Sequence, residues 1–235
     1  MVGSPLTLHV VERFAAWAEQ WRSQPISREV AHHTRRALVD WYAALLPGAV
    51  VAPATLLKKA FGKPFDEGDP RTVALINGTA AHTVEVDDIF RDGIYHPGAP
   101  TIAAAHALGL EKKNFLRSIA VGYEISTRIG AAMGRAHYRY WHNTGTIGSF
   151  GACAAAAEVL NLNRNQFAHA LATVATFAAG LQQAFRMDSM SKPLHAGHAA
   201  EAGVTAALAA REGVIGSLDV LEGEAGFGRA MGDNP

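Results

Sequence analysis

Gly148-Ser149-Phe150-Gly151-Ala152-Cys153-Ala154-Ala155-Ala156-Ala157-Glu158-Val159-Leu160 holds a run of alanine with a single charge. Alanine is the strongest helix former, and its small side chain lets a second helix approach closely, so the stretch reads as a helix inside a dense helical bundle. The whole chain shares this character. Hydrophobic residues make up 49% of its 235 positions but aromatic residues only 8%, so alanine rather than large side chains supplies much of the apolar content. Cys153 is the only cysteine and sits inside the apolar run, which reads as a small buried hydrophobe.

Working outward, apolar residues at helical spacing predict further helices. Leu6 to Trp21 places Leu6, Val10, Phe14 and Trp17 on one face, with Glu12, Arg13, Glu19 and Gln20 opposite. Pro25 ends that helix, and Ser27 opens a second to Leu46, with Val30, Leu38, Tyr42 and Leu45 as its stripe and Pro47-Gly48 as its stop. Ala54 to Phe61, Arg71 to Val86, Thr101 to Leu110, Asn114 to Met133, Arg164 to Leu181 and Gly197 to Glu212 complete the expected helices. The stretch from Gly62 to Pro70, with its prolines, glycines and charges, reads as a surface connection. No alternating strand pattern is found, so the expected fold is all-α: one Ala-rich multi-helix bundle over residues 1–235.

The 21 basic and 21 acidic residues cancel and form no cationic block, which excludes the electrostatic footprint of a nucleic-acid or anionic-membrane binder. Pro47 and Pro53 interrupt the most lipid-like stretch, Ala43 to Leu57, and the N-terminus lacks a signal-peptide pattern. With no pair of cysteines to join, a cytoplasmic location is expected.

Three polar constellations interrupt the helices. The first runs from Asn77 through His82 to Glu85, Asp87 and Asp88, then to His96-Pro97. Carboxylates and imidazoles gathered around one turn can shift each other's pKa and move protons, although a solvated acidic loop reads the same way. Carboxylates at the end of a predicted helix are electrostatically odd, because that end is already partly negative. The second is Tyr140 to Gly148, where His142, Thr144 and Gly145 open the Ala-rich helix; its free N–H groups suit an anion, and a plain helix start capped by Thr144 or Thr146 is the alternative. Gly145, Gly148 and Gly151 recur every third residue, leaving room for a neighbouring backbone or ligand. The third is Ser191-Lys192-Pro193-Leu194-His195-Ala196-Gly197-His198. A lysine facing a helix N-terminus is repelled by the dipole unless an anion lies between them, and a bound carboxylate would supply it. His195 and His198, with His82, Glu85 and Asp87, could in principle hold zinc, but no metal or cofactor is expected, since neither a cysteine partner nor an HExxH pattern is present.

These stretches, in this order, resemble the MmgE/PrpD family, whose members include 2-methylcitrate dehydratase, cis-aconitate decarboxylase and iminodisuccinate epimerase. The resemblance extends through Gly122-Tyr123-Glu124 and the closing Leu221-Glu222-Gly223-Glu224-Ala225-Gly226-Phe227. It implies a helical domain whose cleft, shared with an α/β lid domain, takes small di- and tricarboxylates. By motif, His96, His142 and Lys192 match active-site positions, the acidic turn adds Glu85, Asp87 and Asp88, and Thr144, Gly145 and His195 are expected to bind substrate. The leading expectation is a metal-independent hydro-lyase of 2-methylcitrate dehydratase type. The alternatives are a decarboxylase or epimerase of the same family, a subunit of a split enzyme with a separate lid chain, and a non-catalytic scaffold. Glu85 stands where the family usually has Asp, Ile89 where it usually has Thr or Ser, and the Phe90–Tyr95 loop is slightly longer. Pro235 falls about where the lid domain is expected to begin. A homodimer is expected from the surplus apolar surface of such helices.

Overall fold

The computed structural model describes residues 8–61 and 68–232. In chain order its helices are α1 (Val10–Arg22), α2 (Arg28–Gly48), α3 (Ala54–Phe61), α4 (Pro70–Thr83), α5 (Gly98–Gly109), α6 (Phe115–His137), α7 (Asn143–Val159), α8 (Arg164–Ala175), α9 (Ser191–Arg211) and α10 (Phe227–Met231). A 3-10 turn, Gln182–Phe185, precedes α9. Two isolated bridges, Phe90 with Tyr95 and Trp141 with Leu181, are the only β-type pairings among the described residues. The protein is all-α, and no described helix is long and apolar enough to cross a membrane. Leu6 and most of the predicted 62–70 connection lie outside the described residues.

The Ala-rich stretch is the centre of the bundle: every residue of α7 is buried. Its small side chains let α5, α6, α8 and α9 pack around it. At Gly151 an added Cβ would lie 2.5 Å from Thr101 Oγ1 of α5 and 2.8 Å from Ser126 Oγ of α6, so two neighbours occupy the space the missing side chain leaves. Cys153 is fully buried there, and burial pushes its thiol pKa up, as expected of an inert core residue. The one charge in the run, Glu158, is also fully buried, and Arg22 at the end of α1 pairs with it through Nη2 at 2.7 Å while donating to Leu162 O at 2.9 Å.

Several boundaries differ from the sequence expectation. In α1 the deepest positions are Val11, Ala15 and Ala18, with Phe14 and Trp17 flanking them, because small residues take the tight contact and large ones splay beside it. Pro47 lies inside the last turn of α2 rather than stopping it. Helix α7 starts at Asn143, with His142 and not a threonine at its N-cap. Helix α8 stops at Ala175, six residues early, and α9 starts at Ser191, six residues early. Helix α4 ends at Thr83, so Glu85, Asp87 and Asp88 occupy the following loop. Glu85 takes the left-handed conformation, φ 54°. The carboxylates thus avoid the helical position in which the dipole would oppose them.

Candidate active site

Four imidazoles from four segments meet beside the N-terminal ends of α7 and α9. His82, in the last turn of α4, lies with its ring centroid 4.8 Å from that of His96 and 5.4 Å from that of His142. His142 and His195 follow at 5.2 Å. His82 Nδ1–H donates to Asp87 Oδ2 at 2.9 Å, and the same oxygen lies 3.4 Å from His96 Nδ1. Asp87 therefore orients two rings, His82 through its buried carboxylate and His96 through its backbone carbonyl, which accepts from His96 Nδ1–H at 3.4 Å. Fixing Nδ1–H toward Asp87 leaves Nε2 as the basic nitrogen of each. His82 Nε2 is buried without a hydrogen-bond partner among the described residues, as is Asp87 Oδ1.

Local structure holds each ring. The Phe90–Tyr95 bridge closes the loop after the acidic turn, and the buried Tyr95 hydroxyl bonds Ser126 Oγ at 2.8 Å, which returns the chain to place His96. His96 N–H donates to Thr144 Oγ1 at 3.2 Å. His142 N–H donates to Gly180 O at 2.9 Å, and its Nδ1 lies 3.0 Å from His195 Nδ1, so one of these nitrogens donates and the other accepts. His195 stands over His142 because α9 meets α4 backbone to backbone, with Gly197 against Leu75 and Thr79.

Burial pushes the His96 pKa below the ordinary imidazole value, against the opposing pull of Asp87. His142 is driven down much further, chiefly by burial and then by His82, His195 and Lys192. Burial, His198 and His82 bring His195 down to about 4. Near neutral pH these rings are uncharged, and burial opposes their protonation until a negative charge is brought beside them.

Lys192, in the first turn of α9, pairs with Glu85 Oε1. Its ammonium also lies 4.8 Å from the centroid of the Phe185 ring, and Phe185 in turn packs edge-on against His142 at 4.7 Å. His96, His142 and the α9 pair Lys192 and His195, from three segments distant in sequence, thus form one cluster with Asp87 behind the rings and Glu85 on the ammonium. Asp88 turns elsewhere: it accepts from Tyr123 Oη at 2.8 Å and from Gly98 N at 2.9 Å, the first turn of α5. Thr144 is fully buried behind His96, and the N–H groups of Gly145 and Thr146 are already bonded to His142 O. The N–H groups of Gly145 and Thr146 are therefore not free for an anion, and Thr144 and Gly145 lie behind the His96 and His195 rings. His198 reaches Phe177 O and does not join His195 as a ligand pair. His82, Asp87 and His96 do bring ligand-capable atoms within 4.8 Å of one another.

Residues 12–235 match the family model described as MmgE/PrpD N-terminal domain. The chain belongs to the MmgE/PrpD family. Within it, the chain is 28% identical to human cis-aconitate decarboxylase over 240 residues, covering 93% of this chain and 50% of that protein. It is 28% identical to the cis-aconitate decarboxylase-like protein oryM of Aspergillus oryzae, covering 91% of this chain and 49% of the relative. The mouse cis-aconitate decarboxylase is 30% identical over 177 residues, covering 72% and 36%. The chain thus spans about half the length of the curated relatives it matches first.

Of this MmgE/PrpD site, Phe185 escaped the sequence reading, and His82 was named there but not among the expected site residues. His82 was legible only as part of a motif, although a histidine five residues before an aspartate across a helix end can fold back onto it. Phe185 carried no signal, being one aromatic residue in a loop.

Proposed function

We propose that this chain forms the acid/base part of a lyase site for a small di- or tricarboxylate, with decarboxylation of cis-aconitate as its reaction. The observation that carries the reading is the convergence of His96, His142 and Lys192 from three distant segments. The relatives support decarboxylation over dehydration of 2-methylcitrate, which is the second reading within the same family.

In this reading Lys192 holds one substrate carboxylate. The C–C bond to a second carboxylate breaks, and carbon dioxide leaves. The released electron pair forms a terminal alkene, while the former double-bond carbon takes a proton from an imidazolium and the product is methylenesuccinate. A substrate carrying several negative charges raises the pKa of nearby imidazoles, so rings that are neutral in the empty site become proton donors once it is bound. His96 and His142 are the donors assigned by position, with Asp87 and His82 setting the orientation of His96. Acid/base chemistry of this kind uses no metal, and chelation is expected to leave it intact.

The family resemblance assigns a lid domain to such sites, so the assay is run on the chain alone and with a lid-domain polypeptide. Cis-aconitate and 2-methylcitrate are supplied separately, and carbon dioxide release and unsaturated product are measured. Carbon dioxide from cis-aconitate, lost in His142→Ala, supports the reading; product from 2-methylcitrate alone replaces decarboxylation with dehydration. No conversion under any condition, with no binding of either acid, leaves a scaffold role. We further propose a two-fold dimer through the exposed apolar residues Val39, Leu46 and Val50 of the α2 region, to be checked by light scattering.

A further inference from the structure

We propose that Glu85 is an internal competitor for the substrate site: its carboxylate occupies the place on Lys192 that a ligand carboxylate takes, so it sets affinity and selects ligands that bring a carboxylate of their own. The inference rests on the reading of Lys192 as a carboxylate binder.

An ammonium in the first turn of a helix faces the positive end of the dipole, an arrangement that calls for an anion. Glu85 supplies it from a loop 107 residues earlier in the chain. The Lys192 side chain is only 17% exposed, whereas that of Glu85 is 54% exposed, so the glutamate covers the lysine from the solvent side. That is the side from which a ligand arrives. A surface pocket of about 440 Å³ there is lined by Pro53, Thr83, Glu85, Phe185, Asp188 and Lys192, with the imidazoles behind its wall. Beneath the ion pair, Phe185 lies between the Lys192 ammonium and the His142 ring. Glu85, Lys192 and Phe185 thus form a chain of contacts ending on His142, and a ligand entering from this pocket has to part them to reach that ring.

Parting them strands a sunken ammonium unless the incoming molecule neutralises it. A carboxylate does so and an uncharged group does not. Glu85 follows the α4 C-cap Val84 in the left-handed conformation that commonly ends a helix, so its backbone position does not depend on the ion pair. Release of Lys192 frees Glu85 to relax toward solvent, so the exchange is reversible and needs no rearrangement of the helices.

The test is calorimetric titration of cis-aconitate into the wild type, Glu85→Gln and Glu85→Asp. Glutamine removes the competing charge, and the expected result is binding roughly 3-fold to 30-fold tighter, the range for a partly exposed charged hydrogen bond. Aspartate keeps the charge but is one methylene shorter, and its affinity is expected to fall between the other two. Residue 85 is exposed, so circular dichroism should show all three proteins folded alike. If Glu85→Gln binds cis-aconitate as weakly as the wild type or more weakly, Glu85 is no competitor, and the polycarboxylate reading stands without it. If none of the three binds, alone or with the lid-domain polypeptide, the polycarboxylate reading fails and this proposal fails with it.

Discussion

Replacing Gly197 by alanine tests whether the close crossing of α9 and α4 builds the site. An alanine Cβ at this position would lie 2.3 Å from Leu75 O and 2.2 Å from Thr79 Oγ1, where ordinary contact starts at 3.4 Å. The threonine hydroxyl can rotate away, but the carbonyl belongs to the α4 backbone, so the helices must separate by about 1 Å in an interior packed as densely as a crystal. Overpacking of this kind costs about 1–3 kcal/mol. Alanine returns up to about 1 kcal/mol through its better helix propensity. The net loss lies between about 0 and 3 kcal/mol, and its midpoint of about 1.5 kcal/mol lowers the Tm by roughly 3–6 °C in a chain of this size. The functional loss is expected to be larger, because α9 also carries Lys192 and His195. A displacement near 1 Å at a reacting group can reduce turnover about 100-fold. Thermal unfolding followed by circular dichroism gives the first quantity and carbon dioxide release from cis-aconitate the second. A Gly197→Ala protein as stable as the wild type, or more stable, would refute the reasoning, since helix propensity alone predicts stabilisation.

Two further outcomes follow from the titrating groups. Burial raises Asp88 from its ordinary 3.8 to about 6, so the folded protein binds this proton more tightly than the unfolded chain does. The associated stability is present below pH 4 and is lost as pH rises to about 6, a change of about 3 kcal/mol at most. In urea titrations at pH 4 and pH 7, Asp88→Asn should therefore gain stability relative to the wild type at the higher pH; equal differences at both would remove Asp88 as the cause. Because burial holds His96, His142 and His195 below the ordinary imidazole pKa, binding a polyanion at pH 7 should draw protons from the buffer. Calorimetry in two buffers of different ionisation enthalpy measures this uptake, and identical heats in both would show that the rings stay neutral.

The alanine-rich composition and helical spacing were enough to determine an all-α bundle, since propensity and apolar periodicity are local properties that each segment carries with it. The motifs likewise marked His96, His142, Lys192 and the acidic turn. The sequence could not place helix ends where a side chain or a distant backbone group does the capping. Hence α7 begins after an N-cap at His142, tied to Gly180, rather than at a threonine, and α4 stops before its carboxylates. Nor could it separate Asp87 from Asp88: adjacent residues in a loop point apart, one into the imidazoles and the other toward Tyr123, and only the packing of α5 and α6 around that loop decides which is which. The anion that the Lys192 position demanded was legible as a need, but its source was not. Glu85 meets that need across 107 residues because α4 and α9 cross at glycines, and a contact of that kind belongs to the tertiary structure alone.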